Sequence, residues 1–217
     1  MSVRLHVRAQ DLWYTFLQFW AQLLFSVLFG IRVYGQRNVP TTGGVILAST
    51  HQSYLDPVLV GLGLSRQIHI MARENLFDRT LFRWLIESLN AFPVERGSAD
   101  FAAVREGIKR LRDGHLLVLF PEGTRTRTGK IGKLHPGLGL VAYRSGVPVV
   151  PVTIEGALRC WPRGRRIFRP GRIRVMFGAP MRVTSASREE LSRFMEELRD
   201  RLVEQQQALC RMDRLGA

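Results

Sequence analysis

The chain has 217 residues, 46% of them hydrophobic, and a formal net charge of +14. That length and apolar content fit one domain with a sizeable core, and the lack of internal repeats or low-complexity tracts excludes solenoid and disordered classes. The charge favours anionic partners: phospholipid head groups, phosphorylated small molecules or nucleic acid.

Most of the basic residues are Arg, with Lys only at positions 109, 130 and 133. Arg grips phosphate through a planar fork of donors, although a general compositional bias toward Arg explains the same excess. Cys160 and Cys210 show no metal-ligand spacing and are expected to stay reduced.

Residues 12–31 contain no charge and are flanked by Arg4, Arg8, Arg32 and Arg37. Twenty helical residues span roughly 30 Å, about one hydrocarbon core. No small-x-small cleavage site follows, so a removed signal peptide is not expected. Thr15, Gln18, Gln22 and Ser26 recur at steps of three and four and form one polar stripe. Phe16, Phe19, Trp20, Leu23, Leu24 and Val27 form the opposite face. Two glutamines in hydrocarbon would lack partners, so a partly embedded helix, polar stripe toward protein or water, is favoured over a full span. A buried core helix is the remaining alternative. The division expected is residues 1–32 as a membrane-associating helix and 33–217 as the domain that follows it.

In the body, Arg32–Tyr34 and Val45–Ser49 read as strands. Asp56-Pro57 looks like an N-cap and first-turn proline opening a helix through Leu62. Ile68–Ala72 is a strand, Leu76–Leu89 a helix and Ala91–Val94 extended. Asp100 caps a helix ending at Asp113-Gly114. Leu116–Phe120 is a fully apolar strand, Pro136–Arg144 a helix, and Val147–Ile154 and Ile173–Phe177 strands. Ser187 and Glu190 form a capping box ahead of a helix with Leu191, Phe194, Met195, Leu198 and Leu202 on one face. This alternation predicts a single α/β domain with a buried, mostly parallel mixed sheet flanked by helices. Ligands of such sheets collect beyond the C-terminal strand ends.

Two segments lie at such ends. Thr50-His51-Gln52-Ser53-Tyr54-Leu55-Asp56 supplies an imidazole and a carboxylate. A tight turn would bring them together as a general base and its orienter, with no protein nucleophile needed. The plain alternatives are a hydrogen-bonded loop histidine and an aspartate that merely caps the next helix. Ser53 is a conceivable nucleophile, but is expected to bond the turn backbone instead. Phe120-Pro121-Glu122-Gly123-Thr124-Arg125 ends an apolar strand in a glycine turn and a guanidinium, which suits a phosphate.

Four ordered blocks carry a resemblance across residues 33–180. They are His51 to Asp56; Ala91-Phe92-Pro93-Val94-Glu95-Arg96 with upstream Met71-Ala72-Arg73; Phe120 to Arg125; and Val147-Pro148-Val149-Val150-Pro151-Val152. Together they resemble the glycerolipid acyltransferases, the lysophosphatidate acyltransferases and their relatives. The resemblance implies that His51 takes the acceptor hydroxyl proton, Asp56 orients it, and the hydroxyl attacks a thioester directly. By the same resemblance Arg96 and Arg125, with Arg73, hold the acceptor phosphate. Glu122, Gly123 and Thr124 shape its site, and Pro151 lies near the acyl chain. Arg96 pairing with Glu95 or Asp100, and Pro151 as an ordinary core-strand residue, are the plain alternatives. Relatives usually carry Asn where this chain has Thr50, which bears on acceptor preference. The oxyanion donors are expected among backbone N–H groups of the His51 turn.

Implied partners are lysophosphatidic acid or a related lyso-lipid, an acyl-CoA or acyl carrier protein thioester as donor, and an anionic membrane surface. No bound cofactor, metal or nucleic acid is expected. Localisation is expected at the cytoplasmic face of the inner membrane, monotopic or single-pass. Arg159, Arg163, Arg165, Arg166, Arg169, Arg172 and Arg174 around Trp161 and Phe168 suit an anionic membrane. A solvated hairpin is the plain alternative. Rival functions are acylation of another lyso-lipid, such as a lyso-ornithine lipid, and a non-catalytic basic membrane or nucleic-acid binder.

Overall fold

The computed structural model describes residues 2–94, 101–162, 164, 165 and 167–214. In chain order the elements are α1 (Ser2–Phe29), β1 (Arg32–Tyr34), β2 (Val45–Ser49), α2 (Asp56–Leu62), β3 (Ile68–Arg73), α3 (Thr80–Ser88) and β4 (Ala91–Val94). They continue with α4 (Phe101–Arg112), β5 (Leu116–Leu119), α5 (Gly137–Ser145), β6 (Val149–Glu155), α6 (Ala157–Cys160), β7 (Arg174–Phe177) and α7 (Arg188–Arg214). Glu95, Arg96, Asp100, Arg163 and Arg166 lie outside the described residues.

The seven strands form one sheet in the order β1-β7-β6-β2-β5-β3-β4. Only the β6–β7 pairing is antiparallel. Five strands, β6, β2, β5, β3 and β4, therefore end on one edge, and β2, between β6 and β5, is the middle strand of the seven. The sheet is mixed and mostly parallel, as the alternation of helices and apolar strands requires.

Strand alternation divides the core between two faces. On one face Val45, Leu47, Leu116, Val118, Val150 and Val152 pack with Phe29 of α1 and Leu55, Leu59 and Val60 around α2. On the other, Ile46, Ala48, Leu117 and Val149 pack with Ile108 and Leu111 of α4, Leu138 and Val141 of α5, and Phe194, Leu198 and Leu202 of α7. Both faces of β2 are covered, which explains its uninterrupted apolar run.

Some element ends differ from expectation. β6 starts at Val149, since Pro148 lacks an N–H for the ladder. Residues 74–76 form one 3-10 turn, and α3 begins only at Thr80. The capping box at α7 is half made. Ser187 Oγ accepts from Glu190 N at 3.2 Å, but the Glu190 carboxylate takes the Thr184 hydroxyl at 2.8 Å and Arg193 instead. The arginine cluster before β7 is partly structural: Arg174 is buried and, with Arg159, engages Asp213 of α7.

Helix α1 has three sectors rather than two. Tyr14, Leu17, Gln18, Ala21, Phe25 and Phe29 turn toward the body. The Tyr14 hydroxyl accepts from Ile68 N at 3.3 Å. Gln18 Nε2 donates to the Gly61 and Leu64 carbonyls at 2.8 and 2.7 Å, satisfying acceptors at the end of α2. Thr15, Gln22 and Ser26 are exposed, so the polar stripe is divided between protein and solvent. Phe16, Phe19, Trp20, Leu23, Leu24 and Val27 are all exposed. The segment Asp11–Phe29 is long and apolar enough to cross a membrane.

A buried polar cluster lies near the opposite end of the parallel strands. His69, 8% exposed, stacks on His115 at 4.3 Å, and Arg110 Nη1 lies 2.8 Å from His69 Nδ1. A guanidinium only donates, so Nδ1 must keep its lone pair. Burial, His115 and Arg110 push the His69 pKa down to about 4. Between the ordinary value of 6.5 and about 4 the unfolded chain binds a proton that the folded chain refuses. This contribution is therefore complete above pH 6.5 and is lost as pH falls through that window. Thermal melts should show a loss on the order of 2 kcal/mol from this group between pH 7 and pH 4, after allowance for the solvent its edge meets. The His69→Phe variant should show a flatter pH dependence than the wild type by about that amount. Equal pH slopes would refute the assignment.

Candidate active site

The loop after β2 is built from its own hydrogen bonds. Thr50 N donates to Val152 O at 3.0 Å and Thr50 Oγ1 accepts from Ile154 N at 3.0 Å, stitching the loop to β6. Thr50 is 2% exposed, so its side chain acts on the backbone and not on a bound acceptor. Gln52 Oε1 accepts from Leu158 N at 3.3 Å. Ser53 is fully buried; its hydroxyl donates to Trp161 O at 2.7 Å and accepts from Leu55 N at 3.2 Å. It has no access to a substrate carbonyl.

Asp56 closes the turn. One oxygen, Oδ2, lies 2.8 Å from His51 Nδ1, 2.5 Å from Gln52 N and 2.8 Å from Ser53 N. The carboxylate thus points back into the loop and not onto its helix. Asp56 is the first helical residue, after Leu55, and makes no cap. This corrects the expected N-cap: the turn's N–H groups outcompete those of α2. Burial pushes the Asp56 carboxyl up, against the pull of the His51 ring and the two N–H groups. Three donors on one oxygen favour the carboxylate form. An ionised Asp56 only accepts, so Nδ1 carries the proton and Nε2 keeps its lone pair.

The 120–126 segment holds His51 from the other side. The Phe120 ring stacks on the imidazole at 4.1 Å and 23°. Glu122 Oε1 accepts from His51 N at 3.1 Å, and Thr126 N donates to His51 O at 2.8 Å. Glu122 Oε2 accepts from Gly132 N at 3.1 Å. Both Glu122 oxygens therefore serve the backbone, and the residue is only 9% exposed. It braces the loop, whereas Gly123 and Thr124 are exposed in the turn. Gly123 has φ +64°, and a Cβ there would lie 2.9 Å from His135 Nε2, so glycine is required.

The N–H groups of His51, Gln52 and Ser53 are all taken, which removes them as oxyanion donors.

Arg125 is half-buried, with its guanidinium carbon 3.5 Å from the Tyr54 ring centroid. Its Nη1 is buried with no hydrogen-bond partner among the described residues. Arg73 is exposed at the end of β3, two strands from β2 and so about 10 Å away along the same edge.

A cavity of about 820 Å³ lies on the α1 and α2 face of the sheet. Tyr14, Leu17 and Phe25 of α1, Val58 of α2, Ile70 of β3 and Leu85 of α3 are among its walls, and it reaches Tyr54 and Trp161. That volume is in the range of small-molecule sites. Pro151 is absent from its walls. Alternation along β6 puts Pro151 with Val149 and Thr153 on the α7 face, where Thr153 bonds Leu202 O and Gln205. Pro151 is thus a core-strand residue of the α7 face and does not border this cavity.

Sequence reasoning assigned no role to Tyr54 or Phe120. Both lay inside the quoted motifs, but nothing in their spacing shows which neighbour an aromatic ring will meet.

A histidine is thus seated on a buried carboxylate at the parallel edge of the sheet, on a turn whose Tyr54 lines an apolar cavity. The chain belongs to the acyltransferase family, whose model matches residues 30–155. It is an acyltransferase. It is 29% identical over 188 residues to a 1-acyl-sn-glycerol-3-phosphate acyltransferase of Bacillus subtilis, covering 84% of this chain and 92% of that one. It is 31% identical over 163 residues to the enzyme of the same name from Pseudomonas aeruginosa, covering 73% of this chain and 62% of that one. The crystal structure of the 1-acyl-sn-glycerophosphate (LPA) acyltransferase PlsC from Thermotoga maritima superposes with a TM-score of 0.76 at 29% identity. The match covers 92% of this chain and 82% of that one.

The double use of Glu122 sets an expectation for Glu122→Gln. The amide would turn an NH2 toward one of two N–H donors and loosen the His51 loop. Steady-state kinetics should show kcat falling about 10- to 100-fold with acceptor KM within about threefold. A raised KM with kcat intact would place the carboxylate on the substrate instead.

Proposed function

We propose that this acyltransferase moves a fatty acyl group from a thioester to the sn-2 hydroxyl of lysophosphatidic acid, giving phosphatidic acid for phospholipid synthesis. The observation that carries the reading is a junction at Tyr54. Its ring bears Arg125 at 3.5 Å, it belongs to the His51–Asp56 turn, and it lines the apolar cavity. A lipid phosphate and an acyl chain would find complementary surroundings on either side of the base. The two bacterial relatives and the Thermotoga maritima enzyme carry names that agree with this acceptor.

In this mechanism His51 Nε2 takes the proton from the acceptor hydroxyl as its oxygen bonds the thioester carbonyl carbon. Asp56 stabilises the imidazolium. The tetrahedral adduct then collapses, the C–S bond breaks, and the imidazolium returns its proton to the departing thiolate. No bond to the enzyme forms. Arg125 holds the acceptor phosphate, with Arg73 at the outer rim and Arg96 assigned to the same task. A phosphate near two negative charges suits paired guanidinium forks. The donor is acyl-CoA or acyl carrier protein, its chain entering the cavity.

The protein sits on the cytoplasmic face of the inner membrane as a monotopic enzyme. Helix α1 is bonded to the body from Tyr14 to Phe29, and its free face is apolar, as suits a helix lying in the interface.

Purified protein, a labelled acyl thioester and a panel of lyso-lipids test the reading. Lysophosphatidic acid should be the best acceptor, and His51→Ala should lower turnover by about 10³-fold or more. Arg125→Gln should raise acceptor KM by about tenfold or more, since a charge-assisted contact is worth about 1.5–3 kcal/mol. Equal rates with monoacylglycerol, which lacks the phosphate, would contradict the acceptor assignment.

A further inference from the structure

Helix α3 presents an unusual surface. None of its nine residues is buried. Its inner side supplies Phe82, Leu85 and Ile86 to the cavity wall. Its outer side carries Leu81, 81% exposed, and Trp84, 57% exposed. A helix apolar on both sides, with water on the outer one, is disfavoured by the exposed area alone.

That outer side continues the exposed face of α1. Aromatic rings pass from helix to helix: Phe19–Trp20 at 5.7 Å, Trp20–Phe16 at 6.2 Å, Phe16–Trp13 at 5.9 Å and Trp13–Trp84 at 5.7 Å. Trp13 Nε1 also donates to Ser88 Oγ at 3.2 Å. Exposed Arg73, Arg79 and Arg83 around the start of α3 are matched by exposed Glu74, Asp78 and Glu87, and Arg83 pairs with Glu87 at 2.8 Å. Aromatic and aliphatic side chains interspersed with charges of both signs are the composition of a helix at a lipid interface. The cavity-lining residues that remain exposed, Tyr54, Val58, Leu76, Phe82 and Arg165, include one from α3 and mark the cavity's mouth.

We propose that α3 is a second membrane-seated helix, lying beside α1 on the bilayer so that the mouth of the apolar cavity opens against lipid. This rests on the reading of the enzyme as a lipid acyltransferase working at a membrane. Continuity with the exposed aromatic face of α1, a helix long and apolar enough to enter a membrane, favours lipid as the occupant over a second copy of the chain.

The test uses the full chain with Leu81→Asp and Trp84→Asp combined; neither residue lines the cavity. Three quantities are measured: flotation with phosphatidylglycerol-phosphatidylcholine vesicles, acylation of a short-chain soluble lysophosphatidate, and acylation of a long-chain acceptor held in those vesicles. The double variant should lose roughly tenfold in vesicle affinity and in the vesicle rate, with the soluble rate within about twofold. Unchanged flotation and vesicle rate would overturn the proposal. So would a wild-type dimer on sizing that the variant splits while still floating normally. Should the variant lose soluble activity too, quenching of wild-type fluorescence by brominated lipid decides. The quenched fraction should fall in Trp84→Phe, and an unchanged fraction overturns the proposal. If no lyso-lipid is acylated but flotation still depends on α3, the docking stands and the enzymatic reading fails.

Discussion

The arrangement at the sheet edge depends on one oxygen atom. Asp56 Oδ2 receives the imidazole and two consecutive backbone N–H groups, and those three contacts give the 51–56 turn its shape. A fully buried carboxylate is tolerable only because the donors converge on it. The same contacts consume the N–H groups that an oxyanion would otherwise use. The turn therefore trades one possible role for a fixed histidine, and under the proposed mechanism charge developing on the thioester is met by groups other than the His51, Gln52 and Ser53 N–H.

Around that turn the sheet separates two kinds of work. The α4, α5 and α7 face is a closed core, and α7 accepts a bond from Thr153 and, at Asp213, from Arg159 and Arg174. The α1, α2 and α3 face holds the cavity, with α1 serving both as its wall and as an exposed apolar surface. Segment 120–126 joins the two halves, since Phe120, Glu122 and Thr126 each touch His51. On this account the motifs mark one clamp, and their separation in the chain reflects the geometry of adjacent parallel strands.

Much of the fold was legible because burial on both faces writes itself as unbroken apolar runs. Val45–Ser49 and Leu116–Leu119 are the clearest cases. The family was legible from four ordered blocks. The sequence was weaker wherever a side chain has a choice of neighbours. A helical wheel groups Gln18 with Gln22, yet only Gln18 finds the carbonyls ending α2. Asp56 before a proline reads as a cap, but donors behind it proved better placed. Pro151 sits in a motif strand, and strand alternation turns it away from the cavity. The surface of α3 was missed because nine residues of amphipathic pattern look the same whether their apolar side meets protein, lipid or both.

The most direct test of the account is the tautomer of His51. Nitrogen-15 NMR of histidine-labelled protein, with the resonance assigned by its loss in His51→Gln, distinguishes the two neutral forms. The account predicts that neutral His51 carries its proton on Nδ1, toward Asp56, leaving Nε2 as the base. A proton found on Nε2 would contradict it, because the ring would then face the acceptor hydroxyl with no lone pair to take its proton.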